Sequence, residues 1–140
     1  ATIRVADSLS DGFSFFYAEV RRLSQLLTAL NAPGERPLLF LIDEIFRGTN
    51  NRERLIGSRA YIQALAEGSG LGAIATHDLE LVQLAEDTAK IQNVHFRDAV
   101  VDGRMVFDYK LHPGPCPTTN ALKIMQLAGL PIEPPPAVTR

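Results

Sequence analysis

Five consecutive apolar residues, Leu38 to Ile42, run straight into two adjacent carboxylates, Asp43 and Glu44. A run this short and unbroken suits a strand buried on both faces, as in a parallel sheet. Carboxylates at the C-terminal end of such a strand sit where open α/β sheets bind their ligands. The plainer alternative is a buried strand followed by a polar loop that happens to carry Asp and Glu.

The flanking pattern supports the α/β reading. From about Ser14 to Leu30, Phe16, Val20, Leu23, Leu27 and Leu30 recur every three or four residues, which makes one apolar stripe on a helix. Glu19, Arg21, Arg22 and Gln25 are read as occupying much of the opposite side, and Glu19 as a solvated or salt-bridged helix residue. Asn31-Ala32-Pro33-Gly34 stops the helix. A second helix is predicted from near Arg52 to Gly68-Ser69-Gly70, then a second short strand, Leu71 to Thr76, ending at His77-Asp78. Asp78 is placed to cap a third helix, Leu79 to Glu86. Helix, strand, helix, strand, helix is the order of an α/β domain with a parallel sheet.

Beyond residue 90 the period changes to two. Alternation on both sides of Asp102-Gly103 predicts an antiparallel hairpin over residues 91–101 and 104–112. His95 and His112 fall in it and read as structural. Pro113 to Pro117 is a rigid linker, Thr118 or Thr119 caps a last helix to about Leu127, and Gly129 ends it. Residues 1–132 thus read as one partial α/β domain, and 133–140 as a Pro-rich tail.

Composition narrows the function classes. A formal net charge of -2 gives no basic footprint across the whole domain for nucleic acid, although Arg47, Arg52, Arg54 and Arg59 cluster in sequence. A single cysteine, Cys116, allows neither an intrachain disulfide nor a cysteine metal cluster. No apolar run is long enough for a membrane span and no signal peptide is visible, so a cytoplasmic setting is expected. Ala1 opens mid-pattern without an initiator Met, so a fragment of a longer protein is expected.

The strand and its acidic pair match a Walker B strand of a P-loop ATPase. In that chemistry Asp43 holds Mg²⁺ through water and Glu44 polarises the attacking water. A metal site built from Asp43, Glu44 and His77 is the less favoured alternative, since Mg²⁺ usually takes one or two carboxylates plus phosphates. A P-loop also needs G-x-x-x-x-G-K-[ST]. None of Lys90, Lys110 and Lys123 follows a glycine, so the phosphate-cradling half is absent.

Four segments in order carry a family resemblance: DEIFRGT at Asp43 to Thr49, ATHDLELVQLAE at Ala75 to Glu86, NVHF at Asn93 to Phe96, and LKIMQLAGLP at Leu122 to Pro131. Over roughly Ala6 to Pro131 the chain resembles the C-terminal half of the ATPase domain of the MutS family, an ABC-type P-loop NTPase. The resemblance implies ATP and Mg²⁺ as cofactors and a homodimer with composite sites. It makes Asp43 the Mg²⁺-associated aspartate, Glu44 the water-orienting residue and His77 the γ-phosphate sensor. Ser14 becomes the signature-loop serine that reaches the partner subunit's nucleotide, and Glu53 the acidic D-loop residue. As a plain alternative, Ser14 is an N-cap. Phe13, Phe15 and Phe16 read as core or dimer contacts, and Arg47 as either a phosphate contact or a loop brace.

The chain also departs from the family. Gly12-Phe13-Ser14-Phe15 stands where a Gly-Arg-Ser-Thr core is usual, Phe46 replaces a small residue, and Glu53 replaces an aspartate. Mismatch-recognition, lever and clamp regions are not in this chain, so mismatch binding does not carry over. The expectation is a DNA-associated ATPase whose isolated C-terminal half is inactive. A MutS-like ATPase acting outside mismatch repair is a variant of that reading, and a non-catalytic dimerisation or scaffold module that keeps the fold is the alternative from another class.

Overall fold

The computed structural model describes residues 12–32, 34, 37–117 and 121–132, with side chains from residue 15 onward. The chain divides into two compact units, Ala1–Ile91 and Gln92–Arg140.

In the first unit, helix α1 (Gly12–Asn31) precedes strand β1 (Leu39–Asp43), helix α2 (Asn51–Glu67) and strand β2 (Leu71–Ala75). A 3₁₀ turn, Leu79–Gln83, then runs into the single turn of α3 (Leu84–Asp87). The two strands pair in parallel, from Leu39 opposite Leu71 to Asp43 opposite Ala75. Their C-terminal ends are therefore level, and the residues that follow both strands emerge at one edge.

The α1 stripe behaves as its spacing requires. Leu23 and Leu30 are buried, and Phe16, Val20 and Leu27 are half-buried. Leu23 joins Ile45, Ile62, Leu81 and Leu84 in the core, with Ile42, Phe46, Tyr61 and Ile74 packed around them. The Tyr61 hydroxyl donates to the Leu23 carbonyl at 2.7 Å, which ties α2 to α1. Burial pushes the Tyr61 hydroxyl up to about 12, so it stays a donor through the physiological range.

One expectation about β1 needs correction. The strand is not buried on both faces: Ile42 meets the core, but Leu39 and Leu41 are 62% and 65% exposed. Successive side chains alternate faces, and the sheet has only two strands among the described residues. The helices therefore cover one face of it and leave Leu39, Leu41 and Leu71 open. On the covered face Phe40 lies opposite Gly72, and a Cβ at Gly72 would run into the Phe40 ring. A glycine inside a strand is explained by that close approach.

Helix α2 starts one residue earlier than expected. Asn50 is its N-cap, and its side-chain oxygen accepts the Glu53 N–H at 3.0 Å. The third helix also differs. Asp78 makes no capping bond; its carboxylate is taken by Arg54, at 3.0 Å through Nε and 3.0 Å through Nη2. A forked guanidinium outcompetes a single backbone N–H, and the segment after it tightens into a 3₁₀ turn.

The second unit is a hairpin and a helix. Strands β3 (Val94–Val101) and β4 (Arg104–Pro113) pair antiparallel around Asp102 and Gly103, with φ of 50° and 72°. Left-handed conformation at both central residues is what a two-residue hairpin turn demands. The register shifts between Phe96 and Asp98, and Tyr109 takes φ 56° in the extra length of β4. This bulge was not expected. It lets the Asp108 carboxylate accept from the Lys110 N–H at 2.9 Å and pair with His112 Nε2 at 2.6 Å, and together these hold its carboxyl below the ordinary range. His95 is buried, with Nδ1 on the Gly114 carbonyl at 2.8 Å and Nε2 accepting from Arg97 at 3.3 Å, a structural role. Helix α4 (Ala121–Leu127) ends on Gly129 at φ 85°, whose N–H reaches the Gln126 carbonyl at 2.9 Å. Thr118, Thr119, the segment Ala6 to Asp11 and the 133–140 tail lie outside the described residues. No described helix is long and apolar enough to cross a membrane.

Candidate functional site

The site forms where both strands end. Beyond Asp43 the ladder continues for one bond, from the Glu44 N–H to the Ala75 carbonyl at 2.9 Å. The chain then turns sharply, with Glu44 at φ 52° and Phe46 at φ 56°. Each non-glycine residue in this region costs on the order of 1–2 kcal/mol. Three contacts offset the strain. Ile45, between the two, is buried in the core. The Phe46 ring packs 6.4 Å from Phe16 and 6.1 Å, edge-on, from Tyr61. The Phe46 N–H donates to Glu19 Oε1 at 2.7 Å. Phe46, a departure in sequence, is thus the hydrophobic anchor of the turn.

The turn sends the two neighbouring carboxylates different ways. Asp43 is 87% exposed, with Arg47 Nη2 at 3.8 Å. Glu44 is 28% exposed and held from two sides: Arg47 Nε lies 2.7 Å from Oε2, and His77 Nε2 lies 3.1 Å from Oε1. Arg47 therefore braces the acidic pair from within the loop. His77 arrives from the end of β2, whose last residue is level with Asp43. Thr76 accepts the Asp78 N–H at 3.0 Å and fixes the chain just beyond.

Glu44, Arg47, Arg54, Ser58, His77 and Asp78 line a cleft of about 190 Å³. Ser58 is 1% exposed, and its hydroxyl has no partner among the described residues. That leaves a buried hydroxyl with free hydrogen-bonding capacity in the lining of the cleft.

The residues singled out in sequence separate on this geometry. Glu44 and His77 are brought together, with Asp43 beside them. Glu53 does not line the cleft: it accepts from Thr49 Oγ1 at 2.6 Å in the first turn of α2, and its N–H is the one capped by Asn50. Ser14 falls in the first turn of α1, and its side chain lies outside the described residues. His95 and His112 belong to the second unit.

Sequence reasoning missed the Arg54–Asp78 pair, the Ser58 hydroxyl and the role of Glu19. Glu19 is neither solvated nor in a surface pair. It is half-buried, with Oε2 buried and unpartnered among the described residues. Burial pushes its carboxyl up, opposed by the Phe46 and Arg47 backbone N–H groups and the Arg47 charge. A signal was present: Glu19 lies three residues after Phe16 and four before Leu23, within the apolar stripe.

The donor set can be tested against a metal. No trio of His, Cys, Asp or Glu among the described residues could hold an ion unaided. One exposed carboxylate, Asp43, beside a polar cleft fits a Mg²⁺ ion that takes its remaining ligands from phosphate and water. It does not fit a closed protein cage.

The Arg54–Asp78 pair, about a quarter exposed on each side, carries its own prediction. Arg54→Lys keeps the charge but loses the fork. It should cost about 1 kcal/mol locally, read as faster hydrogen exchange in the 3₁₀ turn with α2 protection unchanged.

Comparison with known proteins adds the following. The family model for MutS domain V matches residues 1–134. The DNA mismatch repair protein MutS of Exiguobacterium sp. (strain ATCC BAA-1283 / AT1b) is 32% identical over 130 residues, which cover 92% of this chain and 15% of that protein. DNA mismatch repair protein MutS 2 of Haloarcula marismortui is 32% identical over 130 residues, covering 92% of this chain and 13% of that protein. For the MutS protein of Chloroflexus aurantiacus (strain ATCC 29366 / DSM 635 / J-10-fl) the identity is 30% over 134 residues, 94% of this chain and 14% of that protein. The chain therefore spans about one seventh of the length of these curated relatives.

Proposed function

This chain belongs to the MutS family through its domain V, and from that premise we propose that it supplies the water-activating half of an ATPase site in a DNA-associated protein. The observation that carries the reading is the convergence of Glu44 and His77 at 3.1 Å beside the exposed Asp43. Each Glu44 oxygen carries two lone pairs. Arg47 engages one oxygen and His77 the other, which leaves acceptor capacity on both to orient a water. Asp43 would hold Mg²⁺ together with the phosphates of ATP. Bound there, the ion would neutralise charge on the transferring phosphoryl group.

The rest of the site comes from elsewhere in this proposal. A phosphate-cradling loop contributed by another part of the protein would face the strand ends. The open sheet face of Leu39, Leu41 and Leu71 suits cover by that same half, since parallel sheets are buried on both faces. Ser14 would serve a partner's nucleotide across a homodimer, with Glu53 near the same junction. DNA contact would be made by the intact protein.

A Mg²⁺ titration of ATP turnover by the intact protein tests the reading. Asp43→Asn should raise the Mg²⁺ needed for half-maximal turnover by about tenfold or more, because one ligand charge is lost. Turnover that ignores both Mg²⁺ and Asp43→Asn would overturn the reading, and an intact protein with no ATP turnover would leave the fold as a scaffold for dimerisation.

A further inference from the structure

We propose that Glu19 is the positioning residue for Glu44: from α1 it accepts the Phe46 N–H and locks the turn that aims the Glu44 carboxylate into the cleft. That Glu44 acts on water rests on the ATPase reading above. That Glu19 fixes the turn does not.

The geometry has three parts. Glu44 and Phe46 both hold left-handed backbone conformations that non-glycine residues avoid. A turn of this kind persists only where its surroundings over-determine it. The Ile45 side chain and the Phe46 ring supply apolar anchoring, but neither fixes the rotation of the peptide planes. The 2.7 Å bond from the Phe46 N–H to Glu19 Oε1 does. It spans 27 residues of sequence.

The consequence runs through Arg47. Its backbone follows directly on the peptide that Glu19 holds, and its Nε lies 2.7 Å from Glu44 Oε2. Releasing the Phe46 N–H frees the turn on both sides of Ile45. The Arg47 brace and the Glu44–His77 contact at 3.1 Å are then no longer set together. A half-buried carboxylate with one buried oxygen unpartnered among the described residues is a poor choice for stability alone. Its presence within an apolar stripe is explained by what its other oxygen does.

The test uses two variants of the intact protein and two readouts. Glu19→Gln keeps an acceptor oxygen, and Glu19→Leu fills the stripe without one. Expected for Glu19→Leu is a fall in kcat for ATP of about 10- to 100-fold, with KM within about threefold. The Phe46 amide should exchange about tenfold faster or more, while α1 amides around Leu23 keep their protection. Glu19→Gln should restore both readouts to within about threefold of the parent.

Unchanged Phe46 exchange in Glu19→Leu overturns the proposal, as does a Gln variant that exchanges as fast as the Leu variant. Glu44→Gln separates the two readings. Should that variant keep full turnover, the ATPase role of Glu44 fails, while the Phe46 exchange still decides whether Glu19 locks the turn.

Discussion

Glu44→Gln is expected to lower ATP turnover by the intact protein about 10²- to 10⁴-fold, the range for removal of a positioned general base. Nucleotide affinity should change little, because Glu44 faces the cleft with Arg47 and His77, whereas the carboxylate proposed to hold Mg²⁺ is the exposed Asp43. The amide is nearly isosteric and keeps one acceptor oxygen. That oxygen can serve Arg47 Nε, and the NH₂ group then faces His77 Nε2, which accepts from it in the Nδ1–H tautomer and opposes it as a second donor in the other. The variant therefore loses the negative charge while keeping the shape and an acceptor oxygen for Arg47. Single-turnover hydrolysis with nucleotide binding measured in parallel separates the cases. Loss of turnover with retained binding supports water activation. Full turnover would reduce Glu44 to a residue that pins the turn.

How much of this was legible in the sequence depends on the length scale of the interaction. The apolar run at Leu38, the α1 stripe and the Asp102-Gly103 hairpin are local patterns, and each element formed close to where its period placed it. That Asp43, Glu44 and His77 come to one edge was legible because they lie at or just past the ends of two short strands, and parallel pairing brings strand ends level. What could not be read was pairing between distant side chains. Arg54 and Asp78 are 24 residues apart, and Glu19 and Phe46 are 27 apart. No local period connects them. The open face of β1 was misread for a related reason: a continuous apolar run reports that both faces are apolar, not what packs on them.

The Gly68-Ser69-Gly70 segment makes the same point with energies attached. In sequence it reads as a helix stop. In the fold it is a socket for Leu30, which is 1% exposed. A Cβ at Gly68 would lie 3.3 Å from Leu30 Cβ, and one at Gly70 would run into Leu30 Cδ2 and stand 2.8 Å from the Leu38 carbonyl oxygen. Ser69 closes the socket by donating to the Leu30 carbonyl at 2.8 Å. Leu30→Ala should destabilise the first unit by about 2–5 kcal/mol, since the glycines leave no side chains to collapse into the cavity. Gly70→Ala should cost about 1–3 kcal/mol by overpacking. It should also slow or break the bond from the Leu71 N–H to the Leu38 carbonyl, 2.9 Å long, that opens the pairing of β1 with β2. The double variant should be less damaging than the sum, with a coupling of about 0.5–3 kcal/mol, because truncating Leu30 removes one of the two clashes and the new methyl fills part of the cavity. The Leu38 carbonyl remains in the way, so recovery should be incomplete. Hydrogen exchange of the β1 and β2 amides in the intact protein measures all three variants. Strict additivity would mean that Leu30 and Gly70 do not share the socket.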